Sequence, residues 1–238
     1  MSENANISQE RRKALINPFL RDVSYMFNIE AQPVFESKLD ELHEMFKSMG
    51  CHVRQLNTDR MCILSVSKQN IGILMTPRIL SIRVEAVEYV NSDVEQEFLL
   101  PFISKYNDIV EVNTIDTIVI SKNYTFALQR SNEIAKKVSI EQYCQSLFSQ
   151  KFLSEHTNKG VFKKLKNINV SAKYTPFMSE DSLRVELQVG GVDFGECAAN
   201  TLGDRLKNAS DAIHSIWCYA MSDEMQDVLN DEKEGKEK

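Results

Sequence analysis

Three groups of residues in this sequence have types and spacings that could do chemistry. The first is Asp211, His214 and Cys218, which lie on one side of a predicted helix. A histidine and a cysteine four residues apart can share a metal ion, or the imidazole can activate the thiol. Structural zinc needs four ligands, and Cys197 is the only other nearby candidate in the sequence. We favour a half-buried helix face with a small apolar thiol. The sequence therefore assigns no catalytic residue and no metal, and His214 and Cys218 are the least poor candidates.

The second group is Gly190, Gly191 and Gly195, just ahead of a helical pattern. A phosphate-binding loop needs its glycines in the strand-to-helix turn, where backbone amides and the helix N-terminus meet the phosphate. Here Gly190 and Gly191 instead separate two alternating segments, which is typical of a tight hairpin. Gly195 falls inside the second segment, where a bulge or close packing explains it. We predict a hairpin at the glycine pair and no cofactor.

The third group is a lysine-rich segment that also carries Phe162 and Tyr174. Its lysines are Lys159, Lys163, Lys164, Lys166 and Lys173. Lysines and aromatics together could follow a nucleic-acid backbone and stack on bases. The alternative is a solvated loop and strand edge, where lysine prevents unwanted sheet pairing. We favour the edge, because the chain carries a net charge of −6 and few arginines join the segment.

Composition indicates a soluble folded protein in a reducing compartment. The chain has 238 residues, enough to bury a substantial core without staples. Its five cysteines are odd in number and scattered, which suits free thiols. The polar start lacks a secretory apolar region, and no apolar run is long enough to span a bilayer. We expect a cytoplasmic protein that does not bind a membrane.

Hydrophobic periodicity predicts an α+β fold of mainly antiparallel sheets, with helices packed on one face and two halves that could be related. Residues 17–130 are predicted as β-α-β-β-β-β-α-β, with a capping box at Ser92 and Glu95 and a bend or shifted start at Pro101. Residues 131–222 are predicted as α-β-β-β-α. Residues 1–16 are expected to be flexible, and 223–238 to form a charged tail.

Some predicted strands, such as "CILSVS" and "IGILM", carry apolar side chains at consecutive positions. Strands of a single-sided sheet alternate instead, so this pattern indicates cover on both faces. We predict helices on one face and a second sheet, domain or subunit on the other. The chain contains no GxSxG or HExxH motif, which lowers the expectation of an enzyme.

The predicted function is therefore that of a non-enzymatic interaction or assembly protein that self-associates or binds a protein partner. Nucleic-acid binding through the lysine segment 159–173 is the first alternative. An enzyme whose site is assembled from distant residues is the second.

The order of elements also resembles a known family. The residues that carry this likeness are a strand entry at Asn17 and Pro18, the segment "VEYVNSDVEQEFLLPF" and the closing helix "DAIHSIWCYAMSDEMQDVL". On these motifs the chain looks like a sporadically distributed family of uncharacterised bacterial proteins of about this length. The family's usual arginine-tyrosine-asparagine strand is replaced here by "TIDTIVIS". The resemblance implies a horizontally moved bacterial gene and supplies no catalytic residue.

Overall fold

A computed structural model describes residues 18–30, 34–58, 61–68, 71–85, 99–112, 114–130, 136–198 and 201–226. The strands are β1 (Pro18–Ile29), β2 (His52–Thr58), β3 (Met61–Lys68), β4 (Ile71–Met75), β5 (Ile79–Glu85), β6 (Thr114–Gln129), β7 (Val161–Leu165), β8 (Ile168–Met178) and β9 (Ser182–Ala198). The helices are α1 (Leu39–Ser48), α2 (Leu100–Val110), α3 (Ile140–Leu147), α4 (Gln150–Glu155) and α5 (Leu202–Ala220). A short 3-10 turn, Glu36–Lys38, precedes α1.

The nine strands form one antiparallel sheet in the order β2-β3-β4-β5-β1-β6-β9-β8-β7. The pairing of β1 with β6, which are far apart in sequence, lies at the centre of the sheet. Each of these central strands is followed by helix and then by a meander whose last strand returns to it, β5 onto β1 and β9 onto β6. Both predicted halves therefore contribute to a single sheet, and the predicted α+β class is confirmed.

The described helices pack on one face of this sheet. Phe27 and Leu80 of the sheet line a small gap together with Ile103 and Tyr106 of α2. Phe126 of β6 meets Phe148, the residue after α3, with ring centroids 6.3 Å apart. In the sequence, alternating apolar residues predict a buried face for β1, and apolar residues at helical spacing predict a buried stripe on α1. Both are confirmed as core. Their buried residues are Val23, Tyr25, Phe27, Ile29, Phe35, Leu39, Leu42 and Phe46.

The predicted hairpin at Gly190 and Gly191 is wrong, because β9 runs straight through both. Neither glycine has a positive φ, so neither makes the turn that a hairpin requires. Close packing explains them instead. A Cβ on Gly191 would lie 3.0 Å from Cγ1 of Ile213, and one on Gly190 would lie 3.2 Å from the carbonyl oxygen of Ile120. The predicted bulge at Gly195 is confirmed by its φ of 142° and by the register shift opposite it.

The second sheet or domain predicted to cover the other face is not found over β4 among the described residues, because β4 alternates between buried and more exposed residues. Ile73 and Met75 are buried, whereas Leu74 between them is 41% exposed. The reason is that consecutive apolar residues in a short strand need not all be covered. Cover of the second face by another chain stays a prediction.

Other boundaries differ from the sequence-based expectation. The stretches "IVEVNTIDTIVIS" and "TFALQ", expected to be strand, fall in the single strand β6 from Thr114 onwards, whereas Ile109 and Val110 belong to α2. The helix expected after residue 138 breaks into α3 and α4. Strand β7, inside the lysine-rich segment, was not predicted as a separate strand. Pro101 lies in the first turn of α2, where proline is tolerated. The predicted flexible segment 1–16, the capping box at Ser92 and Glu95 and the tail beyond 226 lie outside the described residues.

The close approach at Gly191 gives a stability prediction. Gly191→Val should destabilise the fold by about 1–3 kcal/mol, because its side chain would overpack against Ile213 of α5. Gly72→Val is the matched control, since a Cβ on Gly72 meets nothing within 4 Å. Urea unfolding of the two variants checks this. Equal loss of stability in both would contradict a packing role for Gly191.

The buried thiol of Cys144 in α3 gives a pH prediction. Burial raises its pKa from 9.0 to about 11. The folded chain therefore holds this proton to higher pH than the unfolded chain, so the resulting stability is complete below pH 9 and is lost as the pH rises towards about 11. Urea unfolding across this range should show a shallower decline for Cys144→Ala than for the wild type. Cys51→Ala, at a thiol outside α3, should keep the wild-type slope.

Candidate functional site

The sheet face opposite the described helices, which we call the open face, carries a band of small residues through its centre. Register aligns Ser24 of β1, Ser121 of β6, Gly190 of β9 and Ser171 of β8 across four neighbouring strands. Because these side chains are short, the band forms a low trough. Backbone and hydroxyl groups of these residues are therefore accessible to a molecule that contacts this face.

Apolar side chains line one side of the trough. The next aligned row contains Met26, Val119 and Val192, which are all partly exposed. Further out, the open face carries large hydrophobic residues that are substantially exposed. They are Leu74 at 41%, Phe162 at 67%, Phe177 at 41% and Phe194 at 59%.

A buried carboxylate lies on the other side of the trough. Asp22 is only 3% exposed although it belongs to the open face. Its Oδ1 accepts a hydrogen bond of 2.7 Å from Nδ2 of Asn123, and its Oδ2 accepts one of 3.2 Å from Nη2 of Arg83. Both carboxylate oxygens therefore have partners, as a buried charge requires.

Asp22 belongs to a chain of alternating charges that crosses the open face. Its residues in order are Arg184, Glu186, Arg21, Asp22, Arg83 and Glu85. The successive nitrogen-oxygen distances are 3.3, 3.6, 3.9, 3.2 and 3.5 Å. The network links β9, β1 and β5 across the central strands. Most of its members are half-exposed, so its individual pairs contribute little to stability, with Asp22 the exception.

The open face has more positive than negative groups. Its described cations are Arg21, Arg54, Arg83, Lys164, Lys173 and Arg184, and its described carboxylates are Asp22, Glu85, Asp116 and Glu186. These described residues give the face a small positive excess on a chain whose net charge is −6.

A depression of about 290 Å³ opens beside Asp22. Its wall includes charged residues of the alternating network together with polar residues of β6, β8 and β9. These wall residues are Arg21, Asp22, Arg83, Asn123, Thr125, Lys173, Thr175, Glu186 and Gln188. Because most of these groups are polar or charged, the depression suits a hydrophilic ligand.

The structure separates the predicted nucleic-acid-binding lysines rather than forming one patch. Lys163 lies on the helix side of β7, with Nζ 2.9 Å from the ring centroid of Tyr219, while Lys164 lies on the open face. Lys159 and Lys166 lie in the connections on either side of β7, and Lys173 lines the depression. Burial lowers the pKa of Lys163. Nucleic-acid binding by these lysines stays a prediction.

The ring beneath Lys163 also makes a short polar contact. The hydroxyl of Tyr219 donates a 2.5 Å hydrogen bond to Oε2 of Glu155. Burial, together with this hydrogen bond, raises the pKa of Tyr219 to about 12. Lys163, Tyr219 and Glu155 join the β7 edge to α5 and α4, which is a structural role.

His214 and Cys218, the two candidate metal ligands from the sequence, lie close together. Sγ of Cys218 lies 3.4 Å from Nε2 of His214 on α5. Among the described residues, however, no group of three or more histidine, cysteine or acidic side chains could hold a metal ion. Asp211, the third member of the predicted set, is exposed on the same helix.

A second buried ion pair fixes the start of α5. Nε of Arg205 lies 2.6 Å from Oδ2 of Asp193 on β9, and Nη1 of Arg205 donates to the carbonyl oxygen of Ile115 at 3.2 Å. These contacts tie the helix to the bulged end of β9. They lie on the helix side, away from the depression.

The fold and the site define a class: an α+β protein whose described helices pack on one face of a large antiparallel sheet, with charged and apolar groups on the other. Neither a scan against models of known protein families nor a search of curated proteins finds a significant match to this chain. The resemblance to an uncharacterised bacterial family stays a prediction. Within the described ranges, none of the helices has the length and apolar character needed to cross a membrane.

Sequence analysis missed the residues at the centre of this site. Asp22, Arg83 and Asn123 lie on three different strands, and only the sheet register brings them together. The alternation of β1 placed Asp22 opposite the core face, as is usual for a solvated aspartate. A polar residue on the non-core side of a strand gives no signal that it will be buried.

The hydrogen bonds of Asp22 lead to a stability prediction. Asp22→Ala should cost about 1–3 kcal/mol, because it leaves Asn123 and Arg83 without their buried acceptor. Glu85→Ala removes the exposed end of the same network and should change stability by no more than about 0.5 kcal/mol. Chemical denaturation measures both. A loss for Glu85→Ala as large as that for Asp22→Ala would contradict the central position of Asp22.

Proposed function

We propose that this protein is a non-enzymatic binding protein that associates with an acidic protein partner through its open face. One observation carries the proposal. The described helices cover a single face of a nine-stranded sheet, and the other face combines a positive excess with exposed large hydrophobic residues. Exposed apolar groups rimmed by charge are typical of protein interaction sites.

The charge of the open face favours a different molecule over a second copy of this chain. A two-fold pair joined through this face would place the same positive excess against itself. Juxtaposed like charges cost several kcal/mol at an interface. An acidic surface would instead complement Lys164, Lys173 and the outer guanidinium groups.

The spacing of the aromatic residues favours protein over nucleic acid. Phe177 is aligned with Arg184, which lies ten residues from Phe194 along β9. At about 3.4 Å per residue, the two rings are roughly 34 Å apart, so they cannot stack on neighbouring bases. Three of the six cations on this face are also neutralised within the alternating network.

Exposed apolar residues on the open face support this proposal. Strand β4 buries one face only, and on its other face Leu74 is 41% exposed. Phe194 of β9 is 59% exposed on the same face. Among the described residues, no helix packs over these side chains, so they are available for contact with a partner.

Two glutamate substitutions test the proposal. Val192→Glu places a carboxylate in the middle of the open face, and Lys207→Glu places one on the exposed side of α5. Affinity capture from the source cells, followed by mass spectrometry, should recover an acidic protein with the wild type and with Lys207→Glu. Val192→Glu should reduce that recovery by at least about tenfold, equal to about 1.4 kcal/mol.

Three results would contradict the proposal. The first is equal recovery with both variants. The second is recovery of nucleic acid that nuclease treatment removes. The third is a stable dimer in light scattering that Val192→Glu dissociates, since that result would identify a second copy as the occupant. Thermal unfolding of each variant confirms that the fold is kept.

A further inference from the structure

The depression beside Asp22 is a cavity lined by charged and polar side chains of the open face. Its volume of about 290 Å³ is many times the roughly 10–15 Å³ that one water molecule needs. A carboxylate or phosphate group with a few attached atoms fits this space. A folded protein domain does not, so whatever enters must be a small solute or a single projecting group.

The charge of the wall favours an anion. Three cationic side chains line the depression, namely Arg21, Arg83 and Lys173, against the two carboxylates of Asp22 and Glu186. Asp22 is buried and already accepts hydrogen bonds through both oxygens. Its charge is therefore neutralised beneath the surface, and the cationic groups dominate at the mouth.

Lys173 carries the charge that the wall does not neutralise. Within the described parts of the chain it makes no ion pair, in contrast to Arg21 and Arg83, each of which lies between two carboxylates. It is exposed on β8, next to Gln188 of β9 in the register. An ammonium group with neighbouring amide and hydroxyl donors is suited to a compact anion.

The fixed position of the donors also favours binding. Asp22 holds Asn123 and Arg83 from below, so these groups need little reorganisation when a ligand arrives. Thr125 and Thr175 add hydroxyl donors from β6 and β8. Guanidinium, ammonium, amide and hydroxyl groups thus converge from several strands on one space.

We propose that the depression is a binding site for a single anionic oxygen group, a carboxylate or a phosphate, held by Lys173 with the outer edges of Arg21 and Arg83. The proposal rests on the proposed function in one respect, because a carboxylate projecting from an acidic partner would occupy this space. A free small anion would occupy it by the same chemistry. The site can be tested without any partner.

Titration of the full chain with defined probes tests the site. Inorganic phosphate, succinate and an acetylated triglutamate peptide are added separately at constant low ionic strength, and amide signals are followed by NMR. Saturable shifts should appear in the side-chain amides of Asn123 and Gln188 and in the backbone amides of Thr125 and Thr175. Lys173→Gln should weaken binding by about tenfold, the effect expected from loss of a charge-assisted hydrogen bond.

Lys207→Gln is the matched control, since Lys207 is an exposed lysine of α5 outside the depression. It should bind each probe as the wild type does. Equal weakening by both lysine variants would mean diffuse attraction and would overturn the site. Shifts that never saturate, or that spread over the surface, would do the same.

The probes also identify the source of the anion. Tighter binding of the peptide than of succinate, lost in Lys173→Gln, supports a projecting partner carboxylate. Tighter binding of phosphate or succinate, lost in the same variant, supports a free small anion. If no probe binds while Val192→Glu still abolishes partner capture, the anion site fails and the proposed function stands. If probes bind but no partner is captured, the anion site stands and the proposed function fails.

Discussion

The antiparallel pairing of β1 with β6 is the constraint on which the rest of this structure depends. Each of the two strands begins a set of elements whose last strand returns to it. The pairing therefore joins the five strands β1–β5 and the four strands β6–β9 into one sheet. On one side it aligns Tyr25 with Ile120, which support the helix layer. On the other it aligns Asp22 with Asn123, which form the floor of the depression. Core and candidate site are thus opposite faces of the same register.

The elements whose apolar residues are regularly spaced could be predicted from the sequence. The buried face of β1, the stripe of α1 and the long stripe of α5 all follow from the spacing of apolar residues, and the structure confirms them. The sequence around Gly190 and Gly191 is a less reliable guide to structure. A Gly-Gly pair has two common causes, a turn and a close approach, and only the position of Ile213 on a distant helix decides between them. Because the chain does not turn at these glycines, the two strands predicted on either side of them are the single strand β9.

The candidate site could not be predicted, because it is made by register and not by a motif. Asp22 and Arg83 are sixty-one residues apart in sequence, and Asp22 and Asn123 are one hundred and one apart. Their pairing depends on how the four-stranded meander β2–β5 folds back on β1 and on the register of β1 with β6. The lysine segment shows the converse case. Lys163 and Lys164 are adjacent in sequence, but strand alternation sends them to opposite faces, so compositional bias did not produce a surface patch.

The uneven distribution of charge has a kinetic consequence. The described open face carries a small positive excess on a chain whose net charge is −6. An approaching acidic molecule is repelled by the net charge of the chain and attracted by this face. Encounters would then be pre-oriented before contact. Added salt, which shortens the range of this field to about 8 Å at physiological strength, would slow capture more than it shortens the lifetime of the complex.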